Sequence, residues 1–274
     1  VVWVKGRFRV SMSIVLGLAA LALVAAMSGA WAIQRATGNA GWVDAVWSGS
    51  TGVVGALCAL APGGGGGGAR HGLVAVMALA WGGRLAWHIA HRTRGAAEDP
   101  RYAQFRRDWG TGFQLRLFWF LMIQAAAAWV LVLAVVSAAR NPAPLGLADA
   151  LGVIVLVGSV AGEAAADEQL RRFRQRKEGG VCDTGLWGWS RHPNYFFEFM
   201  GWCAYPLMAA NFTGAYPQGF AALAGPALMF WLLRFVSGVP PLEASMLARR
   251  GAAFADYQRR VSAFVPWPPA RRDF

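Results

Sequence analysis

Ser11-Met-Ser-Ile-Val-Leu-Gly-Leu-Ala-Ala-Leu-Ala-Leu-Val-Ala-Ala-Met-Ser-Gly-Ala-Trp-Ala-Ile-Gln34 contains no charged side chain. About 20 predominantly apolar residues suffice for a helix to cross the hydrocarbon core of a bilayer. The stretch therefore reads as a membrane helix. It lacks the small-residue cleavage pattern that follows a secretory signal, so it is read as a retained helix. With bounds at 11–33, it is the first of seven such stretches; the others lie at 42–62, 72–91, 117–139, 145–166, 194–213 and 217–236. The expected fold is all-α, a single seven-helix membrane domain over residues 1–274. The stretch at 194–213 is the most interrupted, by Pro206 and several polar residues. Broken helices persist in a bilayer only where protein or a cavity covers them.

The rest of the composition agrees. Of 274 residues, 56% are hydrophobic and 15% charged, against about a quarter charged in soluble domains. Disorder and a disulfide-built secreted domain are both excluded. Cys58, Cys182 and Cys203 are too few and too scattered for a zinc cluster or a disulfide framework. The net charge of +12 is explained by where the cations fall. Of 26 Lys and Arg, nineteen lie in the 34–41 loop, the 92–116 loop, the 167–193 loop and the tail 237–274. Five lie on the opposite side, at Lys5, Arg7, Arg9, Arg70 and Arg140; Arg84 and Arg234 sit within spans. The positive-inside rule then puts the three long basic segments and the C-terminus in the cytoplasm, with the N-terminus outside. No nucleic-acid module accompanies the charge, and no nucleic-acid partner is expected.

Several familiar signals are missing. Gly63 to Gly68 is a run of six glycines, but it lacks the preceding strand and the Gly-Lys-Ser/Thr ending of a phosphate loop, and reads as a flexible turn. No dinucleotide fold, nucleophile elbow, His-Glu-x-x-His or Cys-x-x-Cys occurs. His88 and His91 stand three apart without a third ligand, so no metal is expected.

Ionisable residues inside spans are costly and mark function by default. Asp44, Arg84, Glu163, Glu198 and Arg234 are such residues. They either pair with one another or line a polar cavity, and Glu163, Glu198 and Arg234 all fall toward the cytoplasmic half. Glu163, Asp167, Arg171 and Arg174 recur on one face of a helix extending out of the fifth span. Arg171, Arg172, Arg174, Arg176 and Lys177 place five cations in seven residues. Such a stripe meets lipid headgroups or, since guanidinium forks match phosphate oxygens, an anionic cofactor. Then follows Asp183-Thr-Gly-Leu-Trp-Gly-Trp-Ser-Arg-His-Pro-Asn-Tyr-Phe-Phe-Glu198. Gly185 and Gly188 permit a tight turn, and Pro193 suits a first helical position. Asn194 and Glu198 then share a helix face beside Arg191, His192 and Tyr195, a set able to hydrogen-bond a carboxamide or a ribose.

Ser190-Arg-His-Pro-Asn-Tyr-Phe-x-Glu198 after the Thr184-Gly-Leu-Trp187 turn resembles the membrane reductases of the steroid 5-alpha-reductase superfamily, most closely their bacterial branch of largely uncharacterised multi-span proteins. Trp81-Gly-Gly-Arg-Leu85 with His88, Glu98-Asp-Pro-Arg-Tyr102, Asp167-x-x-Leu-Arg-x-Phe173, Ser237-Gly-Val-Pro-Pro-Leu-Glu243, and Tyr257-Gln-Arg-Arg through Phe264-Val-Pro-Trp267 fit as well. The resemblance implies a seven-helix enzyme of the bacterial inner membrane that binds NADPH from the cytoplasm and passes hydride to the activated double bond of a hydrophobic enone. It implies cofactor contacts at Asp167, Arg171, Arg174, Asn194 and Glu198, with Arg84, Arg94 and Glu243 as further polar contacts. Glu163, Lys177, Arg191 and His192 complete the candidate cofactor set. The steroid enzymes carry a Gln-Glu pair on helix 2 and a Tyr on helix 3. This chain has no such pair, and Trp81 stands at the Tyr position, so the implied substrate is a lipidic enone rather than a steroid in particular.

The protein's share of that chemistry is to orient the nicotinamide, exclude water and stabilise the developing enolate. Asp44, His88 and Tyr195 are the candidate catalytic residues, and Trp42, Trp47, Trp81, Trp87 and Trp119 are candidate walls for a flat apolar substrate. A monomer in contact with membrane lipid is expected. Two alternatives use the same residues: an S-adenosylmethionine-dependent membrane methyltransferase, which shares the Arg-His-Pro core, and a non-catalytic lipid-binding protein.

Overall fold

Residues 2–4, 7–63, 68–95, 98–176, 179–211 and 213–270 are described in a computed structural model. A short antiparallel hairpin, β1 (Val2–Val4) and β2 (Arg7–Arg9), pairs Val2 with Arg9. From there on the chain is helical: α1 Met12–Thr37, α2 Trp42–Leu60, α3 Gly68–Thr93, α4 Pro100–Trp109, α5 Phe113–Ala139, α6 Leu147–Arg176, α7 Pro193–Trp202, α8 Ala204–Ala209, α9 Ala224–Trp231, α10 Val239–Arg250 and α11 Ala252–Arg260. Six helical stretches are long and apolar enough to cross a membrane: Met12–Thr37, Trp42–Leu60, Gly68–Thr93, Arg101–Ala139, Leu147–Arg176 and Pro217–Arg250. They make this an integral membrane protein.

Two expected spans are broken, for a local reason. The stretch at 194–213 is not one helix: α7 ends at Trp202 and α8 begins at Ala204. Pro206 has no N–H to donate to the carbonyl of Trp202, four residues back, and its ring crowds that group. The stretch at 217–236 is likewise in pieces, a 3₁₀ segment Pro217–Leu223, then α9, then a π-turn Leu232–Val236. Pro226 removes the bond to Ala222 in the same way. Gly238 then ends the turn, where any Cβ would overlap the Leu233 carbonyl.

The chain forms two compact units, Val1–Asp149 with Tyr205–Gly225, and Ala150–Ala204 with Pro226–Phe274. In the first, Leu23, Met27 and Ala30 of α1 join Leu117, Leu121, Ala125 and Ala128 of α5 in one buried cluster. Two indoles fix their antiparallel register from opposite ends: Trp31 Nε1 donates to Gln114 O (3.2 Å), and Trp129 Nε1 to Leu16 O (2.8 Å). The backbones of α2 and α3 come close together at Gly52 and Gly82. A Cβ on Gly52 would lie 2.8 Å from Ala78 O, and one on Gly82 would lie 2.7 Å from Gly52 Cα. Lipid tails are as apolar as side chains, so helices in a bilayer gain from such close backbone packing rather than from leaving water.

A buried Arg ties the start of α6 to the same unit. Arg70 Nε and Nη2 donate side-on to Asp149 Oδ1 and Oδ2 at 2.9 and 2.6 Å. Its remaining donors reach the carbonyls of Asn141 (2.7 Å), Ala143 and Pro144 (3.2 Å). The two side chains are only 3% and 5% exposed, and the dense set of bonds is what makes that burial tolerable.

Gly82→Val places its side chain against backbone, so it should destabilise the chain by about 1–3 kcal/mol. Gly83→Val, where a Cβ meets nothing within 4 Å, should leave the thermal midpoint in detergent nearly unchanged. Equal midpoints for the two variants would show that the α2–α3 contact is not made.

Candidate functional site

The site residues of the second unit begin on α6. After Glu163 the sequence becomes polar without ceasing to favour helix, and Glu168 stabilises the emerging turns by bonding Arg171 Nε (2.7 Å) and Arg172 Nε (2.6 Å) at i+3 and i+4. Arg174 and Arg176 are exposed and make no side-chain hydrogen bond or ion pair among the described residues. Arg171 is thus partly committed to Glu168. Arg174 and Arg176 are the available cations, while Lys177 lies outside the described residues.

The turn that follows is docked onto α6. Gly185 adopts a positive φ of 60°, and the Gln169 carboxamide accepts from Leu186 N at 3.0 Å. A Cβ on Gly185 would stand 2.7 Å from that same oxygen, so both conformation and space demand glycine. Trp187 Nε1 donates to Ala166 O at 2.9 Å, and the Trp187 carbonyl accepts the Tyr257 hydroxyl at 2.6 Å. Burial pushes the Tyr257 phenol well above its ordinary pKa, which keeps it a donor at any physiological pH. Arg260 closes the other edge of the turn, reaching Asp183 at 3.2 Å and Asp256 at 2.9 Å.

Ser190, Arg191 and His192 then cross the C-terminal segment. Arg191 N donates to Ser262 O (2.8 Å), and Ser190 Oγ to Phe264 O (2.8 Å). The Arg191 guanidinium holds Glu243 with both ends of its fork, Nε to Oε1 at 2.7 Å and Nη2 to Oε2 at 3.1 Å, and donates through Nη1 to Gln258 O at 2.9 Å. His192 Nε2 meets Glu243 Oε1 at 3.0 Å, and Gln258 Nε2 donates to Oε2 at 2.8 Å. The Arg191 and Glu243 side chains are 10% and 13% exposed. Glu243 is thereby fully engaged. In this geometry Arg191, His192 and Glu243 hold one another and position the segment.

What they position is α7. Pro193 occupies its first turn, and Asn194 Nδ2 donates to Asp167 Oδ1 at 3.1 Å. That bond joins two motifs 27 residues apart. One turn along, the buried Glu198 accepts from Trp202 Nε1 at 3.1 Å, and Glu163 is buried on α6. The Tyr195 ring stacks on His192, with centroids 5.4 Å apart and planes 8° from parallel. Asp167, Asn194 and Tyr195 are half-buried; the first two place a carboxylate and a carboxamide in contact, and Tyr195 follows Asn194 in the chain with its ring against His192. Such a set can hydrogen-bond hydroxyls and amides of a polar ligand.

The remaining candidates belong to the first unit. Asp44, in the first turn of α2, accepts from Arg101 Nη2 (2.5 Å) and from the Tyr102 hydroxyl (3.0 Å). Asp99 caps α4 through Arg101 N (3.0 Å) and also holds the Arg101 guanidinium. Asp99 stays ionised below the usual Asp range: burial would raise its pKa, but bonds to Arg101 outweigh that. Glu98 holds Arg106 at 2.8 Å and Ala40 N at 3.3 Å, joining the two loops. Arg84 is half-buried on α3, whereas His88 and Arg94 are exposed. Of the candidate wall residues, Trp81 is buried edge-on to Trp47, while Trp87 and Trp119 are largely exposed. Sequence reasoning gave no role to Gln169, Gln258, Arg101 or Tyr102. No sequence signal marked Gln258, and Gln169 gave none beyond its place beside Asp167.

Fold and site together define an integral membrane protein whose polar residues are organised at the end of one long helix and the start of another. The chain matches the family described as "Protein of unknown function (DUF1295)" over residues 30–261, most of its length, and it belongs to that family. No curated protein and no solved structure matches it.

Glu243→Gln removes the charge that Arg191 and His192 share. It should cost about 3 kcal/mol, the scale of breaking a buried ion pair from one side, measured by denaturant unfolding in detergent. A loss under about 0.5 kcal/mol, the level of ordinary surface substitutions, would show that the network does not hold the segment.

Proposed function

We propose that the chain is a membrane-embedded NADPH-dependent reductase acting on the activated carbon–carbon double bond of a hydrophobic enone. The observation that carries this reading is the Asn194–Asp167 hydrogen bond. It joins, within one unit, the two motifs to which the reductase resemblance assigns the cofactor, with Glu198 one turn away on α7. The donor set suits a phosphorylated dinucleotide: exposed Arg174 and Arg176 for phosphates, and Asp167 and Asn194 for hydroxyl or carboxamide groups. When bound, NADPH supplies the hydride. The residues of this chain bind it, keep the polar set oriented through Arg191 and Glu243, and exclude water behind the apolar faces of α6 and α7. In this reading Tyr195, Asp44 and His88 are the candidates for holding or delivering the proton that the substrate carbon or carbonyl requires.

The membrane arrangement proposed is seven crossings with the N-terminus outside and the C-terminus in the cytoplasm, within a bacterial inner membrane. The broken stretch at 194–213, with α7 and α8 as its helical pieces, is proposed as the sixth crossing. The concentration of Lys and Arg on one side supports the orientation.

Binding of NADPH to detergent-purified protein, by calorimetry and thermal shift, tests the reading. Asn194→Ala and Arg174→Ala should each weaken NADPH about ten- to a hundredfold, since hydrogen bonds to charged groups contribute about 1.5–3 kcal/mol. Binding of S-adenosylmethionine in place of NADPH would make the chain a methyltransferase. Silence from both ligands in well-folded protein would overturn the enzyme reading.

A further inference from the structure

Arg70 and Arg140 are neighbours in the first unit, and the chain treats them differently. Arg70 donates to the carbonyl of Asn141, the residue after Arg140, and its side-on edge is filled by the two oxygens of Asp149. Arg140 is buried almost as deeply, with 7% of its surface exposed, yet no carboxylate pairs with it among the described residues. Its only side-chain hydrogen bond there is a long one, Nη2 to Val10 O at 3.5 Å. Nε, the inner atom of the side-on edge, is buried without a partner.

The groups whose fields reach this guanidinium are Tyr216, Cys58 and His71. The Tyr216 hydroxyl donates to Ser137 O at 3.0 Å, and His71 Nε2 is a second buried atom without a partner. Arg70 adds positive charge at His71, although its own charge is met by Asp149. Burial lowers the Arg140 pKa, the direction expected of a guanidinium whose desolvation no anion repays. An uncompensated buried cation is among the more costly features a fold can carry.

We propose that Arg140 is the base of a phosphate-binding site at the C-terminal end of α5, with His71 as its second donor. Arg140 is the cap of a 27-residue apolar helix, so it stands where hydrocarbon gives way to headgroups. The geometry wanted is the one Arg70 already makes with Asp149, Nε and one Nη to two oxygens of a single anion. A phosphate offers that pair of oxygens. Its source is either the phosphodiester of a bilayer lipid or free phosphate. The site is independent of the proposed reductase chemistry and stands or falls without it.

The test uses the full chain, purified and delipidated in an uncharged maltoside detergent, with thermal midpoints read after addition of phosphatidylglycerol, diacylglycerol of the same acyl chains, or inorganic phosphate at matched ionic strength. Phosphatidylglycerol should raise the wild-type midpoint by about 3 °C or more, and diacylglycerol should not. Arg140→Gln should abolish the response; Arg140→Lys, which keeps the charge but loses the fork, should reduce it. A response to inorganic phosphate that Arg140→Gln also abolishes identifies free phosphate as the source. Should Arg140→Gln fail to fold, Arg140→Lys and the wild-type comparison of phosphatidylglycerol with diacylglycerol decide. The proposal is overturned if neither phosphate source stabilises the wild type, if diacylglycerol does so equally, or if the Arg140 variants respond as the wild type does.

Discussion

Glu243 is the group on which the second unit depends. A single carboxylate accepts from the Arg191 fork, from Gln258 and from the His192 ring. Arg191 extends the network into the backbone of α11 through Gln258 O. Each participant alone would be expensive to bury; together they satisfy one another, and the low local dielectric then strengthens every bond in the set. Because Arg191 and His192 directly precede Pro193, pinning them fixes where α7 begins. That start in turn decides which α7 side chains face Asp167. The site is thus built from its C-terminal support inward.

The turn before it is held with equal economy. Gly185 tolerates a left-handed backbone and leaves room for Gln169, and Trp187 reaches Ala166 while Tyr257 reaches Trp187. Gln169 and Ala166 of α6 and Tyr257 of α11 thus hold two adjacent residues of the turn, Leu186 and Trp187. A loop anchored on this scale is pre-organised, which lowers the ordering cost of any ligand it binds.

Much of this was legible in the sequence because its causes are local. Apolar run length marked the helices, Pro206 marked the broken stretch at 194–213, and Pro193 marked the start of α7. The polar face of Glu163, Asp167 and Arg171 marked the extension of α6 beyond the apolar run. What could not be read were partners distant in the chain. Asp44 stood out as an acid within a span, but its bonds to Arg101 and Tyr102 depend on how two loops fold together. Glu243 was singled out as a polar cofactor contact, but its bonds to Arg191, His192 and Gln258 could not be read from the sequence. No periodicity announces Gln258 or Gln169, because an amide gives the same sequence signal whether it is solvated or holds a loop. Nor does run length separate Arg70, which has a carboxylate, from Arg140, which has none.

In the proposed function, the polar set on the end of α6 and the start of α7 receives a nicotinamide dinucleotide. Photoaffinity labelling with an azido-nicotinamide dinucleotide phosphate, followed by peptide mass spectrometry, tests it most directly. Binding there should give adducts concentrated between residues 167 and 198 and suppressed by excess NADPH. Labelling spread along the chain, or indifferent to that competition, would contradict it.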